Sequence, residues 1–129
     1  VSGARFRPHE RLRTPAEFDA VFAGRRSASD GGLIVYALPN ERAHARIGLS
    51  VSRKVGHAPC RSYWRRLLRE AFRTQRAQIA TGYDFVFVPR PGATPTWESV
   101  QASVLRLTEL VVRKWLGSRS HGTNAPNDA

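Results

Sequence analysis

Residues 61–79, RSYWRRLLREAFRTQRAQI, leave a folded chain few options. Set on a helix at about 100° per residue, Trp64, Leu67, Leu68, Ala71, Phe72 and Ile79 fall within an arc of roughly 140°. Arg61, Arg65, Arg69 and Arg73 recur every fourth residue and drift by about 40° each time, with Arg66 and Arg76 in the same sector. The apolar arc needs a surface to seat on, and the arginines then form an exposed ridge beside it. Along the axis these guanidinium groups lie ~6 Å apart, from a rise of 1.5 Å per residue, close to the phosphate repeat of a nucleic acid strand.

The charge is concentrated here. The formal net charge is +11, carried by 19 arginines and only 2 lysines. Residues 42–76 hold ten basic side chains and one acid, Glu70, so this segment alone carries +9. Like charges packed so closely repel, and a polyanionic partner relieves the repulsion. Arginine rather than lysine favours forked contacts to phosphate and stacking on bases. Five such contacts predict a log–log salt slope of about −3.5 to −4.5 in binding. A basic helix that is merely solvated is the plainer alternative.

Flanking segments supply the surface for that helix. Thr14-Pro15-Ala16-Glu17 has the form of a capping box with proline at the first helical position, and Phe18, Val21 and Phe22 follow at helical spacing before Gly24. Residues 33–38 (LIVYAL) read as a strand between Gly31-Gly32 and Pro39-Asn40. Residues 46–52 (RIGLSVS) alternate, with Ile47, Leu49 and Val51 on one face and Gly48, Ser50 and Ser52 on a small polar face open to a ligand. The link PNERAHA predicts a hairpin between these two strands. A loop at 53–57 precedes the long helix, expected over 58–80, with Pro59 tolerated in its first turn and Gly82 after its end. Residues 83–89 (YDFVFVP) read as a third strand, and Thr96 caps a last helix with a stripe of Val100, Val104, Leu107, Val111 and Trp115.

The elements predict one α+β domain, a two-layer sandwich of helices on a small sheet in the order αββαβα, with room for an extra short strand. Residues 1–13 form a basic N-terminal arm, 14–116 the domain, and 117–129 a small, polar tail expected to be disordered. No apolar run approaches the ~20 residues of a membrane helix, and the N-terminal residues lack a secretion-signal stretch. Cys60 is the single cysteine, which excludes an internal disulfide and fits a reducing, cytoplasmic setting.

The run ARIGLSVSRKVGHAPCRSYWRRLLREAFR, residues 45–73, resembles the signature region of the bacterial ribonuclease P protein subunit family. In that family a strand ending in GLSVS is followed by a basic K/R-K-x-G loop and a helix of the form RNRxKRxxRExFR. Gly48-Leu49-Ser50-Val51-Ser52, Arg53-Lys54-Val55-Gly56 and Arg65-Arg66-Leu67-Leu68-Arg69-Glu70-Ala71-Phe72-Arg73 match it. Arg11-Leu12-Arg13, Phe18, Phe22, Tyr36, Asp84-Phe85-Val86 and Arg90 extend the likeness over about residues 9–116. One departure lies inside the motif: Arg61-Ser62-Tyr63 stands where the pattern has Arg-Asn-Arg.

The resemblance implies a fold of the ribosomal protein S5 domain 2 type and a role in removing the 5′ leader of precursor tRNA. It further implies that the catalyst is an RNA subunit holding Mg2+, with neither a catalytic residue nor a metal in the protein. Arg53, Lys54, Arg61, Arg65, Arg66, Arg69 and Arg73 would then contact the catalytic RNA. Phe18, Phe22, Tyr36, Ser50, Ser52 and Arg90 would line a cleft for the single-stranded leader. Phe18 and Phe22, four apart on a short helix, also fit plain core. The residues themselves agree on a non-catalytic protein: ten scattered acids show no paired spacing, and His9, His44, His57 and His121 form no ligand pattern. A structural RNA-binding protein of ribosomal type is the alternative, while membrane and DNA partners are not expected. Of the remaining residues, Trp64 is expected in the core, Trp97 and Trp115 as anchors of the last helix, and Glu70 in a pair with Arg66 or Arg73.

Overall fold

A computed structural model describes residues 7–120, with side chains to 117. In chain order the elements are α1 (Pro15–Ala23), β1 (Ser27–Ser29), β2 (Leu33–Pro39), β3 (Arg46–Leu49), α2 (Ala58–Gln75), β4 (Tyr83–Pro89) and α3 (Trp97–Ser120). Short 3-10 turns occupy Pro8–Glu10, Arg53–Val55 and Arg76–Gln78. The strands form one sheet in the order β1-β2-β4-β3.

The predicted capping box holds α1 in place. Thr14 Oγ1 accepts from the Glu17 amide at 3.2 Å, and Glu17 Oε1 accepts in return from the Thr14 amide at 3.0 Å and the Arg13 amide at 2.6 Å. Gly24 is the C-cap. The sandwich is the α+β arrangement expected, with the extra strand supplied by β1. Helices α2 and α3 cover one face of the sheet. There Leu33, Val35, Ala37, Ile47, Phe85 and Phe87 meet Trp64, Leu67, Leu68, Ala71 and Phe72 of α2 and the Val100-Val104-Leu107-Val111 stripe of α3 in one buried cluster. Each leucine-sized side chain buried there is worth about 1.5–3 kcal/mol. Among the described residues the opposite face carries α1 and the N-terminal arm, where Val21 packs with Leu12 and Val86 in a second, smaller cluster.

The expected hairpin between residues 33–38 and 46–52 does not form. β4 lies between those strands, antiparallel to β2 (Tyr36 opposite Val86) and parallel to β3 (Gly48 opposite Val86). The reason lies in β4 itself. Phe85, Val86 and Phe87 are all fully buried, so this strand is apolar on both faces and needs a partner along each edge. The link PNERAHA steps across its start: the Asn40 amide donates to Gly82 O at 2.9 Å and the Gly82 amide to His44 O at 3.4 Å.

Other boundaries shift for local reasons. β3 ends at Leu49, although the Ser50 amide still donates to Phe87 O at 2.9 Å. α2 stops at Gln75 rather than near residue 80 because Gln75 leaves helical geometry (φ −113°, ψ 14°). Its Nε2 donates both to Ala71 O and across to Gln101 O on α3, each at 3.0 Å. α3 runs to Ser120, past the expected end at 116, and the rest of the expected tail lies outside the described residues. The N-terminal arm is built into the domain from residue 8: Arg11 bridges Ile47, the Leu12 amide donates to Ile47 O at 2.9 Å, and Glu10 and Leu12 are buried. No helix among the described residues is long and apolar enough to cross a membrane.

Candidate nucleic-acid interface

The ridge begins before α2. Arg53 and Lys54 stand exposed on a 3-10 turn that ends at Gly56, where φ is +152°, a conformation that L side chains rarely adopt. A Cβ at Gly56 would also lie 3.0 Å from Cys60 Sγ, so this turn requires glycine. Cys60 packs against the main core.

Along α2 the arginines divide. Arg65 and Arg69 face the sheet side and line a depression of about 210 Å³ with Arg11, over a floor of Leu12, Phe18, Ile47, Gly48 and Leu49. Neither Arg65 nor Arg69 forms an ion pair among the described residues. Burial, and then the neighbouring Arg11 and Arg65, push the Arg69 guanidinium below its usual value. Arg66 instead turns to the α3 flank, where it shares a groove with Tyr63, Leu67, Glu70 and Trp97. Arg61 is half-buried, and its Nε has no hydrogen-bond partner among the described residues.

Three of the ten basic residues of the segment are engaged by acids. Arg73 takes the Glu70 carboxylate, Nη2 to Oε1 at 2.6 Å, and this bond is the main reason Glu70 sits below the usual carboxylate range. Arg46 is forked onto Asp84 (Nε to Oδ1 2.9 Å, Nη2 to Oδ2 2.7 Å) and reaches Glu17 at 3.1 Å, tying α1 to β3 and β4. Arg76, expected beside the ridge, is held by Glu10. The single sector read from the helical wheel is therefore two flanks, with Arg76 withdrawn from it as a structural pin. Periodicity sees only one helix, and the acid that claims Arg76 comes from a distant segment, as do those that claim Arg46 on β3.

The open sheet face carries the second set of residues. Phe22 and Tyr36 meet edge to face, centroids 4.9 Å apart at 84°. Phe18 lies over Gly48 so closely that a Cβ there would fall 2.6 Å from the ring. The small residue of β3 is thus covered, rather than open as its pattern implied. Phe18, Phe22 and Tyr36 are half-buried against the Val21–Val86 cluster, partly core and partly surface. α1 covers the end of this face near Arg46 and Asp84. Towards the other end Ile34 and Val88 are directly paired and half-buried, with Ser50 next to them on the β3 side. Ser52 and Arg90 are exposed beyond that row, Arg90 held by its amide to Gly32 O at 3.0 Å. Ile34 and Val88 were hidden from sequence reasoning, because only the strand order shows that their face is left uncovered.

Fold and surface together define a class: a small α+β protein with an arginine-rich helix exposed along the edge of its sheet. The comparisons with known proteins narrow it. The family model described as Ribonuclease P matches residues 6–111. The Ribonuclease P protein component of Exiguobacterium sibiricum is 42 % identical over 96 residues, covering 73 % of this chain and 83 % of its own. That of Methylococcus capsulatus is 37 % identical over 125 residues, covering 96 % and 94 %. Among solved structures, the RNase P protein from Thermotoga maritima superposes with a TM-score of 0.71 at 29 % identity, over 78 % of this chain and 96 % of that one. The Staphylococcus aureus protein gives 0.71 at 28 %, over 78 % and 94 %.

The chain belongs to the ribonuclease P protein family. Its role is that of a protein subunit in processing the 5′ end of tRNA, and the ribosomal-type alternative is not favoured.

Proposed function

We propose that this chain binds the catalytic RNA of ribonuclease P through α2 and the Arg53–Val55 turn, and holds the 5′ leader of precursor tRNA on the open sheet face. The carrying observation is the depression where Arg11, Arg65 and Arg69 converge over Phe18 and Gly48. It joins the arginine ridge to the aromatic end of the cleft, so one strand of RNA can run from phosphate contacts to stacking contacts without a break. Aromatic platforms accept any base, which suits a leader of variable sequence.

Hydrolysis is assigned to the RNA, which would supply the Mg2+ and its ligands. In support, the carboxylates of Glu10, Glu17, Asp30, Glu70, Asp84 and Glu109 each answer an arginine. The protein's part is to lower the repulsion between two polyanions and to position the leader. The proposed setting is the cytoplasm, where precursor tRNA is made.

The test is reconstitution with a bacterial ribonuclease P RNA at low Mg2+. The chain is expected to accelerate cleavage, and to favour precursor tRNA with a leader over tRNA without one. Tyr36→Ala and Phe22→Ala should erase much of that preference. Cleavage by the chain alone, or leader preference untouched in both variants, would overturn the assignment.

A further inference from the structure

Tyr63 is one of three large apolar side chains exposed among the described residues. The other two, Leu110 and Leu116, lie on α3, whereas Tyr63 stands in the arginine segment of α2, 42 % exposed. Its neighbour Trp64 is buried at 2 %, so the apolar requirement of the helix is already met without Tyr63. A ring thus stands among the charges of this segment at a point on the surface that faces outward.

Around Tyr63 the fold assembles a groove of about 300 Å³ from two helices: Arg66, Leu67 and Glu70 of α2, and Trp97 at the start of α3. Leu67 is buried and Trp97 half-buried, while Arg66 is exposed. Glu70, the acid of the groove, is already engaged by Arg73 at 2.6 Å. Two aromatic side chains, an apolar floor and an exposed guanidinium are the ingredients of a site for a flat, electron-rich ring attached to a phosphate. Acidic peptides would find the guanidinium but gain little from the rings. A paired base offers its faces to its own neighbours, so an unpaired one is required.

From this we propose that the Tyr63–Trp97 groove is a stacking site for an unpaired nucleobase of the RNA subunit, with Arg66 on the adjoining phosphate. The proposal rests on the RNA-binding reading above and adds a contact on the α3 flank, away from the leader cleft. Stacking on Tyr63 releases no counterions, so its share of the affinity should be insensitive to salt, whereas the Arg66 contact keeps the usual ionic dependence.

The experiment is equilibrium binding of the full chain to a bacterial ribonuclease P RNA transcript over a range of salt, with folding checked by circular dichroism. Tyr63→Ala is expected to weaken binding by about 5- to 100-fold at every salt concentration, with the log–log slope unchanged. Tyr63→Phe should bind as the parent does. Tyr63→Arg should recover affinity at low salt and steepen the slope by about 0.7–0.9. Undiminished binding by Tyr63→Ala, in a preparation where Arg65→Ala plus Arg69→Ala does weaken it, sinks the groove and leaves the RNA reading standing. If neither variant changes binding, the RNA reading falls as well. A flatter slope in Tyr63→Ala would mean an ionic role and would also overturn stacking.

Discussion

Arg76 donates to Glu10 through two bonds, Nε to Oε2 at 2.7 Å and Nη2 to Oε1 at 2.8 Å, across 66 residues of chain. The pair clamps the N-terminal arm to the end of α2, and the guanidinium also lies 5.7 Å from the Phe72 ring centre. Glu10 closes the turn as well, accepting from the Arg7 amide at 2.8 Å. The arm carries Arg11 and Leu12 to the proposed RNA depression, so this pin sets one wall of the site.

The clamp predicts a pH dependence. Burial opposes ionisation of Glu10, but the Arg76 and Arg7 bonds outweigh it and bring the carboxyl below its usual value of 4.5. A depressed folded value means that the stabilisation is complete above the unfolded value and is lost as pH falls from about 5 through the folded value. Glu10→Gln should therefore be less stable than the parent at pH 7, and the gap should narrow as pH falls towards 3. Urea midpoints at both pH values measure it; a gap that stays constant would contradict the clamp.

Arg46 and the Arg65–Arg69 pair should behave in opposite ways. Arg46 is mostly buried and already forked onto Asp84, so Arg46→Ala should cost about 3 kcal/mol of stability and leave the salt slope of RNA binding unchanged. Arg65→Ala with Arg69→Ala should leave stability equal or higher, since burial and like charge already strain Arg69. It should also flatten the slope by about 1.4–1.8. Thermal melts and salt titrations of the two variants separate structural from interfacial charge.

Gly48→Ala tests the contact between β3 and α1. The added methyl meets the far edge of the Phe18 ring at 2.6 Å and Leu12 Cδ1 at 3.1 Å. The ring must move, at about 1–3 kcal/mol. Phe18→Leu in the same chain should return part of that loss, and a double-mutant cycle by chemical denaturation reads the coupling.

Gly56→Ala should weaken the turn that presents Arg53 and Lys54, since its φ of +152° strains any L side chain. A loss of about 1–3 kcal/mol is expected, together with weaker RNA binding. Equal stability in a denaturant melt would show that the turn tolerates a side chain.

Short-range features were legible residue by residue. The Thr14–Glu17 capping box, the bounds of β4 and the apolar arc of α2 depend on side chains within a turn or two, and they appear where their spacing puts them. The signature from Gly48 to Arg73 marked the family on the same local terms.

By itself, then, the sequence determined the three helices, both bounds of β4, the starts of β2 and β3, the location of the charge and the family. Tertiary structure alone decided that β4 separates β2 from β3, that Glu10 and Asp84 with Glu17 remove two arginines from the surface, and that Tyr63 shares a groove with Trp97. Periodicity reports which face of an element is apolar, not which neighbour covers it. That choice is made by long-range burial, once a strand that is apolar on both faces takes the centre of the sheet.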